Sequence, residues 1–290
     1  MGIERPAFGV TMFATDDAMS VVQLASAAEA RGFESLFLPE HTHIPVKRES
    51  PWPGGDELPR WYYRTQDPFV ALGAAAAVTS TIRLATGITL VTERDPILMA
   101  KQVATLDHVS GGRVLLGVGA GWNAEEMANH GVAFKQRWAV LRERIMAMRA
   151  IWNEDAAEFH GAHVDFDPIH AWPKPTQAGG PPILLGAASK YAFARIAEYA
   201  DGWMPIDRGG VDLAASMAEL RAAMTEAGRD FDSLDLTLFG TGPDPDRVRK
   251  YLDMGFKRIV FGLPAAGADK VVPMLDRYAE LAASVSGSGS

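Results

Sequence analysis

The sequence contains no cysteine. That excludes a disulfide framework and any thiolate metal site, and it fits a reducing cytoplasm. An apolar run of transmembrane length is also missing, so no membrane partner is expected. The start, Met1-Gly2-Ile3-Glu4-Arg5-Pro6, lacks the apolar core region of a signal peptide, and Pro6 stands where a myristoylation signal wants Ser or Thr. Basic charge is in deficit: 28 Lys and Arg against 36 Asp and Glu leave a formal charge of −8. Such a balance argues against nucleic acid or an anionic membrane surface as the main partner. With 290 residues, the chain suits two average domains or one large α/β barrel.

Short apolar strands alternate with amphipathic helices along the whole length. Strands are predicted at 7–13, 35–39, 83–90, 114–117, 182–185, 201–204, 234–239 and 258–261. Helices follow them, opened by Asp67-Pro68 and Asp95-Pro96 and closed by Gly32, Gly111, Gly228 and Gly255. Eight strands each trailed by a helix is the count of a single (β/α)8 TIM barrel, an α/β fold, over residues 1–285. Residues 286–290, Ser-Gly-Ser-Gly-Ser, read as a flexible tail. Polar insertions are expected after strand 2, over 40–66, and after strand 4, over 153–181. The first holds Trp52, Trp61, Tyr62 and Tyr63 among several prolines and glycines, which favours a folded lid over a linker.

The stretch Gly117-Val118-Gly119-Ala120-Gly121-Trp122-Asn123 leaves strand 4 and enters a helix. It is not a dinucleotide fingerprint, because G-x-G-x-x-G from Gly117 would need glycine where Trp122 stands. Two readings remain: a turn in which backbone approaches a ligand closely, or plain packing. In a TIM barrel the site lies at the carboxyl ends of the strands. There the sequence puts Glu40-His41-Thr42-His43, the Gly87–Arg94 segment, Gly119 to Asn123, Gly186 to Lys190, and Pro205, Asp207 and Arg208. His41 is the proton-handling candidate, since imidazole titrates near neutral pH. A His41-x-His43 metal pair lacks further ligands at strands 4 and 5, so no metal is assigned. His160-x-x-His163 reads as surface. Gly186-Ala187-Ala188-Ser189 opens a helix at once, and its free N–H groups with the Ser189 hydroxyl make an anion site of phosphate size, or Ser189 is a simple cap.

Together these stretches resemble the bacterial luciferase-like monooxygenase superfamily, in its branch using the deazaflavin coenzyme F420. The resemblance rests on Ser35-Leu36-Phe37-Leu38-Pro39-Glu40-His41, Arg83-Leu84-Ala85-Thr86-Gly87-Ile88, Asp95-Pro96-Ile97-Leu98-Met99-Ala100-Lys101-Gln102, Leu106 to Arg113, Leu116 to Trp122, Trp172-Pro173-Lys174-Pro175 and Pro182 to Ala187. It implies an isoalloxazine or deazaflavin ring at the strand ends. Glu40 and His41 would be the catalytic pair beside the ring, the carboxylate neighbour favouring the charged imidazole. Thr86, Gly87 and Ile88 would buttress the ring, with a non-proline cis peptide at Gly87-Ile88 and Thr86-Gly87 as second choice. Gly119, Ala120, Gly121 and Trp122 would line the ring or its ribityl chain. Gly186, Ala187, Ala188 and Ser189 would hold the phosphate. Sugar-phosphate dehydrogenases of the superfamily carry a glutamate where Trp122 stands, so a hydrophobic or ring-containing small molecule is the expected substrate. The resemblance further implies a homodimer.

Three functions follow from these residues. The first is an oxidoreductase moving hydride between F420 and an organic substrate, the cofactor carrying the chemistry. The second is an FMN-dependent monooxygenase using reduced flavin and O2. The third is a flavin-binding protein without catalysis.

Overall fold

A computed structural model describes residues 6–187, 189–207 and 211–286. Eight parallel strands close into a barrel: β1 (Ala7–Thr11), β2 (Ser35–Leu38), β3 (Arg83–Leu90), β4 (Val114–Gly119), β7 (Ile183–Leu185), β8 (Gly202–Trp203), β9 (Asp235–Thr241) and β10 (Arg258–Gly262). β1 pairs with both β2 and β10, which closes the ring. β5 (Ala157–His160) and β6 (Asp165–Ile169) stand apart as an antiparallel hairpin within the second insertion. That insertion was expected without strands. His160 sits on this hairpin, exposed, with its Nδ1 2.7 Å from Asp165. Of the tail expected over 286–290, Ser286 ends the last helix and the rest lies outside the described residues.

The outer ring is α1 (Val21–Ala30), α2 (Pro68–Ala76), α3 (Pro96–Ser110), α4 (Ala124–Asn129), α5 (Arg137–Asn153), α6 (Lys190–Tyr199), α7 (Leu213–Glu226), α8 (Pro245–Asp253) and α9 (Ala268–Ser286). Their starts are where short polar side chains can take up orphan N–H groups. Asp67 accepts from Val70 N at 2.9 Å and Asp95 from Leu98 N at 2.8 Å, each ahead of a first-turn proline. Among the described residues no helix is long and apolar enough to cross a membrane.

Because side chains alternate along a strand, every second residue points into the barrel. Those inward residues change character with height. At the amino-terminal end stands Arg258, 1% exposed, with Asp235 and Thr237 of β9. The middle layer is apolar, built from Phe37, Ala85, Leu115, Leu184 and Val260. Above it comes a run of glycines: Gly87, Gly117, Gly119 and Gly186. The room that side chains would take there is filled by Ile88, Phe239, Met204 and the Thr86 carbonyl, and a cavity opens beside them at the carboxyl-terminal mouth.

Gly117 belongs to packing alone. A Cβ there would lie 2.0 Å from the Thr86 carbonyl oxygen and 2.7 Å from Met204 Cε. Backbone cannot yield as a flexible side chain can, so Gly117→Ala is expected to lose about 1–3 kcal/mol or more of stability. Chemical denaturation of the two proteins measures it; equal stability would show that β3 and β4 separate freely.

Candidate functional site

A cavity of about 500 Å³ opens at the carboxyl-terminal ends of the strands. Its floor is the bulge of β3, where pairing with β4 slips between Thr86 and Thr89. The peptide Gly87-Ile88 is cis, at the first-choice position. Ile88 turns inward and covers the glycines: a Cβ on Gly119 would lie 2.4 Å from Ile88 Cδ1, and one on Gly186 would lie 2.8 Å from Ile88 Cγ2. Thr86 is buried beneath, its hydroxyl donating to the Gly117 carbonyl at 2.7 Å. Ala120, Gly121 and Trp122 form one wall, with Gly121 at φ +79°, a conformation glycine adopts without strain. Gly186 and Ala187, after the neighbouring strand β7, adjoin that wall, and Phe239, Ile206 and Asp207 also line the cavity. Ala188 and Arg208 lie outside the described residues. Ser189 is exposed and caps α6, accepting from Ala192 N at 3.3 Å.

Of the glycine stretch leaving β4, Gly117 packs against Thr86 and Met204, while Gly119, Ala120 and Gly121 line the cavity. Gly117 and Gly119 lie within the strand, which runs two residues further than the sequence predicted. The turn itself begins at Ala120.

The first insertion folds back over the mouth. Glu125 accepts from the backbone N–H of Glu49 and Ser50 at 2.9 and 3.2 Å, and Arg64 pairs with Asp16 after β1. Trp52 and Tyr62 reach the cavity; Trp61 and Tyr63 point to solvent. Tyr62 sits 5.1 Å from the His41 ring, 5.6 Å from Trp52 and 6.3 Å from Trp122, centroid to centroid, and Phe13 packs on it at 4.8 Å. Trp122 meets His41 edge to face at 5.8 Å. Of the four expected lid aromatics, Tyr62 packs on the histidine together with Trp122, and Trp52 packs on Tyr62.

His41 lines this cavity, but its carboxylate partner is not its chain neighbour. Nδ1 lies 2.7 Å from Glu126 Oε2, and the Thr42 N–H donates to Glu126 Oε1 at 3.1 Å. A carboxylate accepts and cannot donate, so the proton sits on Nδ1 and Nε2 is the nitrogen available to the cavity. Glu40 turns elsewhere. It takes the Thr89 hydroxyl, the Leu90 N–H at 2.7 Å and the Arg94 guanidinium, Nε at 2.7 Å. Glu40 borders the cavity with His41 but is not the carboxylate bound to it, which corrects the expected contact: Glu40 pins the end of β3 through Arg94, which also reaches Asp67 at the start of α2. Sequence order could not reveal the pair, because Glu126 lies 85 positions downstream. The signal available was Asn123-x-x-Glu126 at a helix start, where a buried acidic side chain is unusual.

A third carboxyl completes the cluster. Glu93, in the turn after β3, has a fully buried side chain with no hydrogen-bond partner on either oxygen. Burial above all, then the charges of Glu126 and Glu40, pushes it up to about 9 against the pull of Arg94. His130, 3.9 Å away, is pushed down by burial and by His43.

With this geometry in place, comparison with known proteins decides the family. Residues 6–271 match the family described as luciferase-like monooxygenase. The chain belongs to that family. A protein of Mycobacterium tuberculosis described as uncharacterized is 42% identical over 275 residues, covering 94% of this chain and 97% of its own. Among solved structures, an F420-dependent secondary alcohol dehydrogenase in complex with an F420-acetone adduct superposes with a TM-score of 0.77 at 17% identity, over 97% of this chain and 99% of that one. The oxygenating constituent of 3,6-diketocamphane monooxygenase from Pseudomonas putida, in complex with FMN, superposes with a TM-score of 0.66 at 20% identity, over 88% and 72%. These superpositions show the barrel fold.

Proposed function

We propose that this luciferase-like protein is an oxidoreductase that binds coenzyme F420 in the cavity and moves a hydride between it and a small, hydrophobic or ring-containing substrate. The observation that carries the reading is His41: a histidine with Nδ1 fixed by a buried carboxylate and Nε2 left to an aromatic-walled cavity. The cavity fits a flat ring. Its volume is that of a small-molecule site, and Gly87, Ile88, Gly119 and Gly186 line it. Gly87-Ile88 and Ala120 to Trp122 would hold the ring faces and edge, while Gly186, Ala187 and Ser189 would meet the phosphate at the start of α6.

A bound deazaflavin supplies the hydride. The protein's own part is to orient both reactants, exclude water with Trp52 and Tyr62, and handle one proton at His41 Nε2. Glu126 keeps the imidazole in one tautomer and supports its positive charge. Tyr62, Trp122 and Phe13 offer apolar faces to a substrate and few hydrogen bonds, which disfavours a sugar phosphate.

Titration with F420 and FMN side by side tests the reading, F420 being expected to bind more tightly. Preferred FMN binding with oxygen consumption would favour the second reading, a flavin monooxygenase, which the likeness to the FMN-bound camphane enzyme supports. Binding of neither would overturn both. The phosphate end has its own test. Ser189→Asp sets one negative charge against another and is expected to weaken cofactor binding roughly ten- to a hundredfold, on the order of 1–3 kcal/mol. Unchanged affinity would move the phosphate away from α6.

A further inference from the structure

We propose that Glu93 stands in this fold as a neutral carboxylic acid that donates its proton to Glu126, and that it thereby sets the charge Glu126 presents to His41. The inference rests on the reading of His41 as the proton-handling group. It assigns Glu93 a positioning role, since nothing places it in contact with substrate or cofactor.

The argument begins with satisfaction of buried polar atoms. Both Glu93 oxygens are buried and accept no hydrogen bond. A buried carboxylate in that condition would forfeit its hydration with nothing in return. Nor does a cation face it. Arg94 follows in the chain, but its guanidinium is taken by Glu40, Asp67 and Gln102. Arg144 of α5 donates to the Val91 carbonyl at 2.9 Å. His130 of the α4 end is disfavoured as a cation by its own burial and by His43. The remaining charged neighbours, Glu126 of α4 and Glu40 of the β2 end, are both carboxylates. Two carboxylates side by side repel, whereas a carboxyl beside a carboxylate makes a charge-assisted O–H···O bond. One proton therefore resolves three unfavourable terms at once.

Its consequence falls on His41. Glu126 Oε2 already meets His41 Nδ1, and Oε1 takes the Thr42 N–H. Each hydrogen bond given to a carboxylate spreads its charge and weakens its hold on an imidazolium. Glu93 moderates the Glu126–His41 pair without entering the cavity.

The test uses the protein alone. Infrared spectra of the wild type at neutral pH are expected to show a carboxylic-acid C=O band that Glu93→Gln removes and that fades in the wild type as pH approaches 9. In parallel, NMR follows the titration of His41. Glu93→Leu takes away the donor and is expected to raise the His41 midpoint by about one pH unit; Glu93→Gln restores a neutral donor and returns the midpoint to that of the wild type. Absence of the acid band overturns the proposal. So does a midpoint unmoved by leucine, or moved as far by glutamine as by leucine. None of these measurements requires turnover, so an inert cavity would count against the enzymatic reading and leave the Glu93–Glu126 result standing on its own evidence.

Discussion

His41→Asn is expected to lower turnover by about a hundred- to ten-thousandfold while changing cofactor affinity by less than about tenfold. Asparagine keeps a polar side chain of similar reach, and its amide can still meet Glu126 in place of Nδ1. What it loses is a nitrogen that gains and gives up a proton. Hydride transfer to a carbonyl-type acceptor leaves an anion that needs a proton, and the reverse direction needs a base, so both directions pass through the same atom. The structure isolates that atom: Glu126 occupies Nδ1, and Tyr62 and Trp122 pack against the ring. Pre-steady-state oxidation of reduced F420, followed across pH with dissociation constants for both proteins, measures the effect. Equal rates would leave His41 as a ring-packing residue. Equal losses in rate and binding would make it a cofactor ligand.

The second large effect lies at the other end of the barrel. Arg258 is 1% exposed, and its guanidinium is fully engaged. Nε and Nη2 reach Glu34 at 2.8 and 3.0 Å, and Nη1 reaches both Asp235 oxygens at 2.7 Å and Thr237 Oγ1 at 2.8 Å. Arg258→Met keeps the volume but strands two carboxylates without their cation. Removing one partner of a buried ion pair typically costs 3–5 kcal/mol, and about that loss is expected in equilibrium unfolding. Replacing Glu34 and Asp235 by apolar residues in the same background should recover much of it, because the cost comes from the unpaired charges. A loss below about 1 kcal/mol would mean that water compensates both carboxylates.

The fold was legible because each element carried local instructions. Asp-Pro pairs started α2 and α3, glycines ended helices, and every barrel strand came out within two residues of its expected length. The cavity floor was legible through the resemblance, which implied the β3 bulge at Thr86 to Ile88, and through the local glycines of β4 and of the turn after β7. The carboxyl cluster around His41 was not. Glu126, Glu93 and Glu40 come from three separate elements, and which of them faces His41 is settled by closure of the barrel. Adjacency in sequence pointed to Glu40. Glu40 and His41 both border the cavity, but Glu40 bonds to the end of β3 while His41 bonds to Glu126. The β5–β6 hairpin escaped notice for a different reason: its strands are polar and half-exposed, so no apolar alternation marks them.

The pairing of β1 with β10 bears on how the molecule is made. Until residue 258 has left the ribosome, one side of β1 presents unsatisfied N–H and C=O groups, and Glu34 has no Arg258 to meet. A nascent chain thus carries an open sheet edge through most of its synthesis, the condition in which intermolecular strand addition competes with folding. The last strand does more than finish the ring. By docking Arg258 across to Glu34, it acts as a clasp whose late arrival times the whole barrel, and slow translation over the final third of the message would lengthen the interval of exposure.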